Sequence, residues 1–345
     1  MNLPERRPKV AEVAARAGVS TATVDRVING RGGVHLRTVA RVEAAIREMI
    51  VRPDLAPTSA RSGTLHVILA GDGSQVTKSL AHALVDDGCS RGTRVSVEFV
   101  ERMNPSALAR SIHACVEQSS SGVIVQALDH ILVREAFAHL RNASIPVVNV
   151  LTDMAGIDRI AYVGLDNRAA GRTAGHLMAR FCRPSGKLAV VWGGQLYRSH
   201  EERESGFRSV LRAERPDLQC LDVITGNDDP SIARLRTEDA ISAHGDLAGV
   251  YCVGGGITGV AEAIEQAGLA HQLVMIGHNF NSDSRPYLLS GTIDALIHQD
   301  TKRIAIGALN ALLAPPAAAV TLVPIEIITR ENAHNRLGSG HDTEV

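Results

Sequence analysis

The sequence predicts a small all-α helix-turn-helix head joined to a larger α/β body built of two doubly wound parallel-sheet lobes. Three observations predict it. Residues 10–49 carry helical apolar spacing interrupted by a glycine turn, residues 52–63 are rich in Pro, Ser and Gly, and beyond them apolar strand-like runs alternate with helical ones in two successive series.

In the head, Val10, Val13, Ala14 and Ala17 recur at i, i+3, i+4 and i+7, the apolar face of a short helix that Gly18 stops. Ser20 is placed as the N-cap of a second helix over Thr21–Asn29, with Val24, Val27 and Ile28 facing inward. A third helix from about Leu36 to Met49 brings Val39, Val42, Ala45, Ile46 and Met49 onto the first two and closes a core. In a helix-turn-helix the second helix enters the DNA major groove with its first residues toward the bases, which selects Thr21, Ala22 and Arg26. The planar fork of Arg26 suits guanine O6 and N7, while Ser20, Thr23 and Asn29 suit phosphates.

The segments VAEVAARAGVSTATVDRVING and RGGVHLRTVARVEAAIREM resemble the head of the lactose/galactose repressor family. The resemblance implies that Thr21 and Ala22 occupy its variable specificity positions; Asp25 departs from the serine often found there. It also implies that the linker folds on DNA into a hinge helix whose leucine wedges into the minor groove, for which Leu55 is available. Against such a helix, Pro57 withholds an N–H and holds Ala56 extended. The expected division is a DNA-binding domain at 1–51, a linker at 52–63, an effector domain at 64–335 and a disordered tail at 336–345.

In the body, strands are expected at 65–71, 94–100, 122–128 and 146–151, with helices near 75–91, 105–119 and 131–142 between them. A second series follows, with strands at 187–193, 221–226, 249–255 and 273–279 and helices across 200–213, 230–243 and 257–267. Alternation of this kind gives parallel sheets covered on both faces, and such sheets bind ligands beyond the carboxyl ends of their strands. Asp72, Asp129, Asp153, His278 and Asn279 all follow strands and become candidates on that ground.

Three stretches, YVGLDNRAAGRTAGHLM (162–178), RESGF (203–207) and GTIDALIHQD (291–300), are similar to the sugar-binding fold of periplasmic binding proteins of type I and of the same repressor family. The resemblance implies a first lobe of about 64–162 and 290–320 and a second of about 163–289. It implies that Arg203 bridges ligand hydroxyls or a carboxylate, and that Gln299 donates to and accepts from a hydroxyl. The expected ligand set is Asp129, Arg203, Asn279 and Gln299, with Asp72, Gln75, His130, Asp166 and His278 beside it. Two departures stand out: Gly254-Gly255-Gly256 replaces an Asn-Asp pair, and His278 replaces a Phe or Tyr. Trp192, Tyr197 and Phe207 are the aromatics available for sugar stacking or, equally, for a core.

Charge is divided along the chain. Residues 1–62 hold 11 Lys and Arg against 6 Asp and Glu, and the remainder holds 25 against 31, a basic head on an acidic body. Five dispersed cysteines form no metal or disulfide pattern, no GxSxG, HExxH or phosphate-binding glycine motif occurs, and neither an enzyme nor a cofactor is expected. No apolar run reaches the roughly 20 residues of a membrane span, and the charged start is unlike an export signal, so a cytoplasmic protein is expected. The combined reading is a homodimeric repressor of a pseudo-palindromic operator, modulated by a sugar, polyol or sugar acid. A tail after Asn335 without a leucine heptad favours the dimer over a tetramer. The alternatives are a DNA-binding dimer that ignores ligands and a sugar-binding transport component.

Overall fold

Element order follows the expected alternation closely in the computed structural model, which describes residues 10–28, 34, 38, 39, 41, 42, 63–71, 74–183, 185–314 and 319–336. The head contributes α1 (Val10–Ala17) and α2 (Thr21–Ile28). Val13, Ala14, Ala17, Val24 and Val42 form its buried core, whereas Val10, expected on that face, is exposed. Residues 38, 39, 41 and 42 are helical; the rest of the expected third helix, Asn29, the linker with Leu55 and Pro57, and residues 337–345 lie outside the described residues.

The first lobe is a six-stranded parallel sheet in the order β12-β5-β4-β3-β1-β2. Its strands are β1 (Leu65–Ala70), β2 (Val95–Val100), β3 (Gly122–Val125), β4 (Val147–Val150), β5 (Ala161–Gly164) and β12 (Val320–Leu322). Helices α3 (Gln75–Ser90) and α11 (Thr301–Leu313) pack together, as do α4 (Pro105–Glu117) and α5 (Ile131–Asn142), so the sheet is covered on both faces. β1, β3 and β4 are mostly apolar, with His66 and Asn149 as polar exceptions, because their faces are largely buried.

The second sheet takes the order β13-β11-β10-β9-β6-β7. It comprises β6 (Gly186–Trp192), β7 (Leu218–Cys220), β9 (Leu247–Cys252), β10 (Val274–His278), β11 (Ala295–His298) and β13 (Glu326–Ile328), with β8 (Ile224–Thr225) pairing β6. Only β13 runs antiparallel. Helices α6 (Asn167–Phe181) and α7 (Arg198–Glu214) form one pair, α8 (Pro230–Ala243) and α9 (Ile257–Gln266) another, and α10 (Arg285–Ser290) precedes β11. Among the described residues no helix is long and apolar enough to cross a membrane.

Two expectations are corrected. The stretch 291–300 does not return the chain to the first lobe: β11 pairs with β10, the crossing comes after His298, and β13 goes back to the second sheet. The chain therefore crosses between lobes three times, near 165, 299 and 324. The expected strand at 221–226 is strand only at β8, with β7 ending just before it, and between them Arg208 donates to the carbonyls of Cys220 and Leu221 (3.3 and 2.7 Å). β3 likewise ends early, where the side chain of Gln126 takes over and accepts from the N–H of Ala70 (3.2 Å).

Candidate functional site

The carboxyl ends of both sheets face one another across a cleft of about 170 Å³. Ser74, Gln75 and Thr77 at the start of α3 line it from the first lobe, and Arg203, His278 and Gln299 from the second. A larger hollow of about 570 Å³, lined by Arg180, His271 and Asp294 among others, lies at the opposite end of the second lobe, by the first residues of β9 and β10. The strand-end rule points to the cleft instead.

Arg203 is the best-placed group in it. The α6–α7 pair that carries it packs backbone on backbone: a Cβ on Gly171 would stand 1.9 Å from the carbonyl oxygen of Arg203, and one on Gly206 would stand 2.3 Å from that of Arg168. The buried guanidinium donates through Nε to Asn167 Oδ1 (2.8 Å) and through Nη1 to the Val253 carbonyl (2.9 Å). Asn167 in turn donates to the Tyr162 hydroxyl (3.0 Å), which donates to the Leu165 carbonyl (2.9 Å), so a polar chain runs through the first lobe crossing into the site. Burial pulls the Arg203 pKa down.

Asn279 holds a left-handed conformation (φ 65°) and accepts from Gln299 Nε2 (3.1 Å). Gln299 Oε1 and His278 Nδ1 are buried with no hydrogen-bond partner among the described residues. The Tyr251 hydroxyl sits 2.8 Å from His278 Nε2. Burial, and secondarily the charge of Arg203, holds His278 well below the usual histidine range; burial lowers His200 too, with Asp228 opposing it.

Arg203, Asn279, Gln299, Gln75 and His278, all expected from sequence, come together here. Asp129, His130 and Asp166 do not line the cleft, and their local chemistry explains why. Asp129 is bound by Arg134 (2.6 and 2.9 Å), His130 caps α5 by accepting from Leu132 N–H (3.3 Å), and Asp166 caps α6 by accepting from Ala169 N–H (2.8 Å). Asp153 is taken by Arg159, and Asp72 lies outside the described residues. Of the aromatics, Phe207 is core, stacked on Tyr251 at 4.5 Å; Trp192 is not among the lining residues, and Tyr197 lines the cleft.

Sequence reasoning missed Arg102 and Asp228. Asp228 Oδ1 accepts from the N–H of Gly255 (2.6 Å), and Cβ atoms on Gly193 and Gly254 would come within 2.2 and 2.6 Å of its carboxylate. The glycine run thus makes room for a carboxylate that enters from the turn before α8. The signal was the sequence Gly226-Asn227-Asp228-Asp229-Pro230, a turn ahead of a helix, set against glycines just after the neighbouring strands β6 and β9.

In the head, Ser20 Oγ accepts from Thr23 N–H (3.2 Å) as a cap, and Gly18 takes the turn at φ 60°. Thr21, Ala22, Asp25 and Arg26 are exposed along one side of α2. Arg41, also missed, donates to the carbonyls of Ala17 and Gly18 (2.5 and 3.2 Å) and ties residue 41 to the end of α1.

Comparison with known proteins finds matches to both parts of the chain. Residues 9–54 match the model of bacterial regulatory proteins of the lacI family, and residues 76–314 match that of a periplasmic binding protein domain. The HTH-type transcriptional regulator PtxS of Pseudomonas plecoglossicida is 30% identical over 316 residues, 89% of this chain and 88% of that protein. The HTH-type transcriptional repressor PurR of Vibrio vulnificus is 24% identical over 315 residues, 88% of this chain and 90% of its own length. Among solved structures, a transporter solute-binding protein of Burkholderia graminis in complex with D-arabinose shares the fold at a TM-score of 0.75 and 17% identity, over 82% of this chain and 99% of that one.

Proposed function

Since the chain belongs to the lacI family of bacterial regulatory proteins and carries a periplasmic binding protein domain, we propose that a polyhydroxylated small molecule held in the cleft governs how its head grips operator DNA. The observation that carries this reading is the convergence, on one cleft between two lobes, of buried polar atoms with no hydrogen-bond partner among the described residues, around the Arg203 guanidinium. Unsatisfied buried donors and acceptors are costly in an empty protein and become recognition elements when a ligand pairs them.

In this reading Thr21, Ala22 and Arg26 read base edges, Ser20, Thr23 and Asn29 hold phosphates, and Leu55 is the minor-groove wedge. Ligand closes the lobes only by its differential affinity for the closed arrangement, and closure in a homodimer re-spaces the two heads on a pseudo-palindromic site. Repression is the resting activity, the protein works in the cytoplasm where its DNA is, and no catalytic step is assigned to it.

A thermal-shift screen with sugars, polyols and sugar acids, followed by operator binding with and without the hit, tests the proposal. Arg203→Ala removes the ligand shift and Arg26→Ala weakens operator binding. A hit that persists in Arg203→Ala, or that leaves operator binding unchanged, overturns it.

A further inference from the structure

We propose that the effector carries a carboxylate, gripped between Arg203 and His278, and hydroxyls that face Asp228 and Gln299: a sugar acid rather than a neutral sugar. This rests on the reading of the cleft as an effector site and goes further by fixing the chemical class.

The first observation is the company Arg203 keeps. Its Nε and Nη1 donate to neutral oxygens, of Asn167 and Val253, and no ion pair joins it to a carboxylate among the described residues. Arg159, also largely buried, shows the contrast: Asp153 binds it through both oxygens, at 2.6 and 2.5 Å. Asp228 and Glu202 lie near enough to act on its charge but neither contacts it; a buried guanidinium with no carboxylate in contact is expensive, and its fork matches a carboxylate.

The second observation is the tautomer of His278. The Tyr251 hydroxyl has His278 Nε2 as its one hydrogen-bond partner among the described residues. Were Nε2–H to donate, the buried phenol hydrogen and the Nδ1 lone pair would both be stranded. With the phenol donating, only Nδ1–H is left over. The ring is neutral, held so by burial and then by Arg203 and His200. His278 therefore offers a donor to the cleft at Nδ1, which has no other partner among the described residues, beside a cation. A phenylalanine at this position, one of the two residues the resemblance leads one to expect, would offer none.

The rest of the cleft sets the other half of the ligand. Asp228 and Asp283 line it, so a purely anionic molecule is disfavoured, and Gln299 Oε1 accepts. Acceptors and donors lining one cleft suit a molecule with hydroxyls and a single carboxylate.

Calorimetric titration of the full-length protein with matched pairs tests the idea: D-gluconate against D-glucitol, D-glucuronate against D-glucose, D-galacturonate against D-galactose, and the five-carbon equivalents. At least one acid should bind about 10-fold or more tightly than its neutral partner. His278→Phe should reduce that preference about 10-fold, and Tyr251→Phe, which frees the tautomer while keeping the ring, should reduce it in the same direction should the first variant fail to fold. Neutral partners that bind as tightly, or a preference untouched in a folded variant, overturn the carboxylate while leaving the effector site in place. Binding by neither class overturns both.

Discussion

Arg102 of the first lobe and Asp229 of the second stand 3.9 Å apart across the cleft, and the same guanidinium donates to the carbonyl of Asp228. The turn it grips is unusual, with Asn227 and Asp228 in consecutive left-handed conformations (φ 53° and 54°). Such conformations are tolerated by Asn and Asp and persist where surroundings hold them. Further contacts bridge the lobes: Leu196 accepts from Asp129 N–H (2.9 Å), and Thr152 Oγ1 accepts from Ser199 N–H (3.2 Å). The structure is thus clasped shut on its cleft.

Removing the clasp should therefore act on opening more than on folding. Arg102→Ala is expected to lower effector affinity about 10-fold, the worth of one charged hydrogen bond, with a melting temperature close to the parent's. Small-angle scattering should register a larger ligand-free radius of gyration. An unchanged radius and affinity would show that closure does not depend on this contact.

The two buried histidines of the cleft make stability depend on pH. Both have folded pKa values below the ordinary 6.5, with burial the leading cause, Arg203 pressing the same way and Asp228 opposing at His200. Below pH 6.5 the unfolded chain takes up protons that the folded one refuses, so unfolding free energy falls as pH falls. The slope approaches about 1.4 kcal/mol per pH unit for each histidine, in the window from 6.5 down toward their folded values. Denaturant melts between pH 7.5 and 5.5 measure it, and replacing His278 should flatten the curve.

Gly171 tests how Arg203 is held. A methyl there meets the carbonyl of Arg203 at 1.9 Å, so Gly171→Ala must push α7 away from α6. Overpacking of this kind costs about 1–3 kcal/mol. The variant should melt lower and lose effector affinity although residue 171 is not among those lining the cleft; unchanged calorimetric affinity would mean that the arginine is positioned by its hydrogen bonds alone.

At the other end of the chain, Arg26→Ala should weaken operator binding by about 1–3 kcal/mol and relax preference at one base of each half-site, with effector titrations unchanged. Selection of operators from a random library reads both effects.

How much of this was legible depends on how local the cause is. Strand and helix positions followed from apolar period, because the sheets are buried on both faces and the helices on one. Strand ends did not, since Gln126 and Arg208 terminate ladders with side chains from elsewhere. The strand-end rule and resemblance singled out Arg203, Asn279, Gln299, Gln75 and His278, which the fold brings to one cleft. The same rule over-reached at Asp129, and resemblance at Asp166, where a neighbouring arginine or a helix start claims the carboxylate. Asp228 and Arg102 escaped notice because only the meeting of two lobes gives them a purpose.

The head's chain enters the body at β1, a strand that runs from Leu65 at the linker to Ala70 at the cleft within the first lobe. Three crossings join that lobe to its partner, and all of them lie later in the chain. Chain order thus joins the head to the first lobe alone. Along the chain, whatever the cleft signals to the head must therefore pass by way of the first lobe.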